Sequence, residues 1–219
     1  MRQIWWKILC SLLLIYTVVY GMTTDVPALH TLHETIRNLF FHVPMWFTMI
    51  FLLLISMIYS IKFLKKKDLK YDLFASALAH VGCLFGVLGF VSGMLWGQYT
   101  WGSPLPQDPK IIGAAIAILI YFAYFILRAS VNDEEKKAHL SAAFNIFAFI
   151  MLIIFTGIYP RMVDSLHPGN GGNPGFNVYD RDTRLSAVFY TAIVGWILLG
   201  LWISAVKIRI DLLKKDNSI

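Results

Sequence analysis

Residues 96–102 read Trp-Gly-Gln-Tyr-Thr-Trp-Gly and follow a strongly apolar run. Trp96, Tyr99 and Trp101 offer flat aromatic faces, and Gly97 and Gly102 each remove a side chain beside an indole. Such faces stack on planar partners, and indole N–H groups donate to carboxylates. Amphipathic aromatics also collect at membrane interfaces for no other reason. An interface belt explains one or two isolated rings better than it explains two Trp-Gly pairs around a Tyr. Asp108-Pro109-Lys110 comes next, and Asp at N-cap with Pro at N1 is a good helix start.

The histidines are the other candidates. His42 lies in Phe-His-Val-Pro-Met-Trp, and His167 in Ser-Leu-His-Pro-Gly. Taken singly, each reads as an ordinary loop imidazole. Taken together, two neutral imidazoles can supply both axial positions of a haem iron. That chemistry requires the fold to bring both to the side of the membrane that carries the aromatic run. Arg37, five residues before His42, can pair with a propionate carboxylate there. His30 and His33 share a face if their segment is helical, as a metal pair would, but no third ligand accompanies them. His139, beside Glu134-Glu135-Lys136-Lys137, reads as solvated. His80 falls inside an apolar run, where a polar ring must face protein or a wet cavity. It reads as a hydrogen-bonded packing residue or as a transient inner ligand.

The elements that must position these residues are membrane helices. Of 219 residues 58% are hydrophobic and only 15% charged, against about a quarter charged in soluble domains. Several apolar runs approach or exceed the roughly 18–20 residues that cross a bilayer. The patterning predicts an all-α integral membrane protein, a single polytopic transmembrane domain over residues 1–219. Its six spans are expected at about 4–21, 42–63, 73–95, 110–128, 139–159 and 185–206. Alternate connections then carry 14 and 5 of the 19 basic residues. The richer side is cytoplasmic and holds both termini. The outer loops are expected at about 22–41, 96–109 and 160–184. This puts His42, His167 and the Trp-Gly run on one side. Residues 1–21 also resemble a signal peptide, but no small-x-small cleavage site follows, so a retained first span is favoured. Gly82, Gly86, Gly89 and Gly93 form one stripe on span three, continued by Trp96, against which another helix can pack closely.

Several function classes are disfavoured. The net charge of +6 follows the spans as orientation signals do, so no nucleic-acid partner is expected; membrane lipid is. Cys10 and Cys83 sit in apolar segments without CxxC spacing, which argues against disulfide, zinc or thiol-exchange chemistry. No nucleophile–base set or phosphate loop is present, and the chain is not read as an enzyme. A b-type cytochrome or respiratory anchor should hold its haem with histidines inside spans, where only His80 lies well inside. A solute transporter should show polar or broken-helix features near mid-membrane, for which Asn145 is one modest candidate.

The pattern Arg37-x4-His42-Val43-Pro44, then Trp96-Gly97-x3-Trp101-Gly102 ending at Asp108-x-Lys110, then Leu166-His167, resembles the CcmC-type haem-handling proteins of cytochrome c maturation. The resemblance covers nearly the whole chain. It implies a haem site on the outer face of the bacterial inner membrane, with His42 and His167 as axial ligands. Trp96, Gly97, Tyr99, Trp101, Gly102 and Asp108 would line the platform. Haem b would be held transiently and passed to a membrane-tethered haem chaperone of the CcmE type, with ATP-binding-cassette components assisting release. One stretch departs from the family. Ser103-Pro104-Leu105-Pro106-Gln107 stands where further aromatics are expected, which leaves less stacking area and a stiffer second half.

Overall fold

The computed structural model describes residues 4–26, 33–167 and 183–216. His30 and most of the third outer loop, from Pro168 to Asp182, lie outside the described residues. Every regular element among the described residues is helical. Helix α1 spans Trp5–Thr23, α2 His42–Lys66, α3 Leu69–Trp101, α4 Pro109–Ser130, α5 Glu134–Ile153, the short α6 Tyr159–Met162 and α7 Thr183–Asp216. A 3₁₀ helix, His33–Phe40, precedes α2, and a π-helical turn, Ile154–Ile158, joins α5 to α6. Six helical segments are long and apolar enough to cross a membrane. The expected six-span bundle is therefore the observed one.

Antiparallel α2 and α3 form its spine, and the glycine stripe explains why. A side-chain carbon at Gly82 would fall 2.9 Å from Leu53, and one at Gly89 would fall 3.1 Å from Trp46. At Gly86 it would collide with Met49, and at Gly93 it would lie 2.6 Å from His42 Cε1. The helix that the stripe admits is thus α2 of the same chain. Its residues His42, Trp46, Met49 and Leu53 run down one face at spacings of four, three and four, so successive side chains fill successive glycine notches. Lys67, in the left-handed conformation, ends α2, and the Asp68 carboxylate caps α3 by accepting from Lys70 N–H at 3.0 Å.

Around the spine, Leu52, Phe85, Tyr121, Tyr124, Phe149 and Leu152 are buried together. Polar ties cross the interior. Asn145 Nδ2 donates to Ser56 Oγ at 2.8 Å and Ser60 Oγ at 2.9 Å, joining α5 to α2. Asp72 and Arg128 form a bidentate pair at 2.5 and 2.7 Å, joining α3 to α4. Cys10 and Cys83 are buried free thiols. Helix α1 packs on α7, with Leu13 and Leu14 against Gly195. Most of its apolar surface, including Ile8, Leu12, Ile15 and Val19, stays exposed, as suits a lipid-facing helix.

Candidate functional site

Helix α3 does not stop where its apolar run does. Nothing in Trp96-Gly97-Gln98-Tyr99-Thr100-Trp101 breaks a helix, and Thr100 Oγ1 folds back to donate to the Trp96 carbonyl at 2.9 Å. The helix closes only at Gly102, whose φ of 73° is the left-handed conformation common just past a helix end. The Trp-Gly run, expected from about residue 96 as a connecting loop, is thus mostly the rigid last turns of α3. Trp96 and Trp101 are about 7.5 Å apart along the axis and roughly 140° apart around it. Gly97 is buried because the chain returns over it. A side-chain carbon there would lie 3.1 Å from the Ser103 carbonyl and 3.5 Å from the Trp101 ring.

Each tryptophan meets a different histidine. The Trp96 ring lies edge-on to His42, with centroids 5.8 Å apart, and its Nε1–H donates to Thr35 Oγ1 at 3.1 Å. His42 opens α2 and occupies the notch left by Gly93. Its Nδ1 is 2.8 Å from the Gly89 carbonyl and 3.1 Å from Ser92 Oγ. A carbonyl only accepts, so this contact assigns the proton to Nδ1 and the ring lone pair to Nε2. Trp46, one turn on, also lies edge-on to His42, with centroids 6.4 Å apart.

The Trp101 ring lies 4.9 Å from that of His167. His167 belongs to no helix, and what holds it is Asp108. That carboxylate is 1% exposed and gathers three segments. Its Oδ1 accepts from Lys110 N–H at 2.9 Å and Ile111 N–H at 3.3 Å, capping α4 as the sequence predicts. Its Oδ2 accepts from Ser165 Oγ at 2.8 Å and Leu166 N–H at 2.7 Å. His167 Nδ1 sits 3.0 Å from Oδ1. Burial opposes the charge on Asp108, but the Ser165 and Leu166 hydrogen bonds and nearby His167 outweigh it and hold the carboxyl below its ordinary range. Burial first, and then the Lys110 charge, push the His167 imidazole below its ordinary value against the pull of Asp108. His167 is accordingly neutral at pH 7, with its lone pair on Nε2. Each histidine thus stands beside a different tryptophan of the last turns of α3.

The end of α5 makes this possible. Its π turn sets the Phe155 carbonyl onto Gly113 of α4, where no side chain would fit. Pro160 then lacks the N–H that would continue the helical ladder. The chain leaves the bundle beside the start of α4, where Ser165 and Leu166 reach Asp108.

The remaining predicted residues lie elsewhere. Tyr99 is 77% exposed and its ring faces neither histidine. Gly102 has open space around it and serves the turn. The Arg37 guanidinium closes the end of α1, donating to the carbonyls of Gly21 at 2.9 Å and Thr24 at 2.8 Å and pairing with Glu34 at 2.7 Å. Four supporting residues escaped sequence reasoning: Thr35, Ser92, Trp46 and Ser165. Only Trp46, one helical turn from His42, carried a readable signal. His80 turns its Nδ1 to its own Ser76 carbonyl at 2.8 Å and packs on Phe125. His139 lies between Lys67 and Phe63.

A family model described as CcmC, heme exporter protein C, matches residues 1–218. The chain belongs to the CcmC family. Among relatives, it is 24% identical over 204 residues to the Heme exporter protein C of Paracoccus denitrificans, covering 90% of this chain and 81% of that protein. It is 25% identical over 145 residues to the protein of the same name from Haemophilus influenzae, covering 64% of this chain and 56% of that one. A shorter match, 32% over 108 residues, joins it to the cytochrome c biogenesis protein CcsA of Pelargonium hortorum, covering 49% of this chain and 33% of that protein. As a CcmC-family protein the chain is a multi-pass membrane protein with a role in haem handling for cytochrome c maturation.

Proposed function

We propose that His42 and His167 are the axial ligands of a transiently held haem b on the outer face of the bacterial inner membrane. The chain passes this haem, without making or breaking covalent bonds in it, to a haem chaperone of the CcmE type. ATP-binding-cassette components assist release of the loaded chaperone. The observation that carries this reading is the matched preparation of the two imidazoles. Each has Nδ1 occupied by an acceptor and its lone pair on Nε2, and each ring is set edge-on to a tryptophan of α3. Metal-binding histidines are oriented in this way, through a hydrogen bond from the other ring nitrogen. The donor set therefore fits a bis-imidazole iron, and Trp96 and Trp101 supply the apolar walls a porphyrin needs. The 14-to-5 distribution of basic residues supports the outer placement. With Leu105 half-exposed where the family offers aromatics, the wall beyond Gly102 adds little stacking, which suits a carrier that must let go.

Purified protein tests the reading. The wild type is expected to carry haem with a low-spin Soret spectrum, and His42→Ala plus His167→Ala to abolish it. Unchanged haem content and Soret position in the double variant would overturn it.

A further inference from the structure

The two histidines are prepared alike in geometry but not in charge. The Nδ1–H of His42 faces a neutral backbone carbonyl, that of Gly89, with the Ser92 hydroxyl beside it. The Ser92 hydroxyl itself donates to the same carbonyl at 2.9 Å, drawing away part of its accepting capacity. The Nδ1–H of His167 faces the buried Asp108 carboxylate, whose other oxygen accepts from Ser165 and Leu166. A carboxylate behind an imidazole pulls its proton and makes the far nitrogen a stronger donor to a metal. A carbonyl already shared with another donor does so less.

From this difference, and resting on the haem reading above, we infer that the site is asymmetric: Asp108 is a positioning residue that makes His167 the anchoring ligand, and His42 is the ligand that an incoming group displaces. In that exchange the bond from iron to His42 Nε2 breaks as the bond to the entering ligand forms, with no change in oxidation state. His42 keeps its own proton on Nδ1, and the iron stays on His167 until the second exchange. The supports of the two residues fit these roles. His42 belongs to the rigid α2–α3 spine and returns to the same notch after release. His167 sits on a connection whose position depends on Asp108.

Resonance Raman spectra of the ferrous haem-loaded protein under carbon monoxide test the inference. The wild-type carbonyl adduct is expected to match that of His42→Ala, in which His167 lies opposite the gas, and to differ from that of His167→Ala. Without carbon monoxide, Asp108→Asn should lower the iron–imidazole stretching frequency in the His42→Ala background and leave it unmoved in the His167→Ala background. A wild-type adduct matching His167→Ala overturns the inference, as does an equal response to Asp108→Asn in both backgrounds. The carbon monoxide comparison needs no change at Asp108, so a poorly folded Asp108→Asn does not remove the test. Absence of haem from the wild type would instead defeat the underlying haem reading.

Discussion

At the scale of single residues, the proposed haem site depends on side chains outside its ligand set. Gly93 is the clearest case. Its missing side chain is the space His42 occupies, and a methyl group would stand 2.6 Å from Cε1 and 3.2 Å from Nδ1. No rotamer change in alanine relieves that overlap, so the imidazole must move and lose its bond to Gly89. Gly93→Ala is expected to cut the haem-to-protein ratio of purified material several-fold with helical circular dichroism unchanged. Retention of wild-type haem with an unshifted Soret band would refute this placement. Asp108 is a second case. The sequence offers it as a cap for α4, and it is one, but the same carboxylate binds Ser165 and His167 from 57 and 59 residues away. Local spacing contains no trace of that second use.

At the scale of elements, the α2–α3 spine and the 3₁₀ helix divide the labour. The glycine stripe was legible because small residues at helical spacing have few other uses in a membrane. Its partner was not legible, since any helix with complementary bulk would serve. The 3₁₀ helix His33–Phe40 was expected as part of a loop because its charged and polar residues lack a membrane pattern. Tertiary packing forms it: Phe40 and Ile36 bury against Leu185, Val188 and Phe189 of α7. Arg37 then caps α1 from this helix. Its exposed pairing with Glu34 contributes little, while hydrogen bonds from a charged group to helix-terminal carbonyls are worth about 2 kcal/mol. Arg37→Ala is expected to lower the thermal unfolding midpoint in detergent by several degrees and to leave the Soret spectrum of the loaded protein in place. A normal melting temperature with weakened haem binding would return Arg37 to the propionate role that its place in the sequence suggested.

At the scale of the molecule, six helices carry the proposed site at one end of the bundle. Even crossing number puts both termini on a common side, and the basic residues assign that side to the cytoplasm. A membrane-impermeant maleimide checks this in intact cells. In a chain with Cys10 and Cys83 replaced by Ala, Tyr99→Cys is expected to label and Leu213→Cys to stay unlabelled until the membrane is opened. Tyr99 and Leu213 are 77% and 63% exposed, so the contrast reports sidedness rather than burial. The reverse pattern would invert the topology and place the histidines inside. Asn145, a candidate polar feature for solute transport, proves to be a tie between α5 and α2.

By itself the sequence determined what depends on composition and short-range spacing. Those features are the number of crossings, their orientation bias, the cap at Asp108 and the notch-bearing face of α3. Hydropathy and helical periodicity act over a few turns, so one strand of text contains them. Only the tertiary structure decided that the Trp-Gly run is rigid helix, that Trp96 and Trp101 serve different histidines, and that Arg37 holds α1. It also decided that a carboxylate stands behind His167 and a shared carbonyl behind His42. The last two contacts join residues 59 and 47 positions apart. Their geometry is set by which helices pack and how deeply, and no local pattern encodes that.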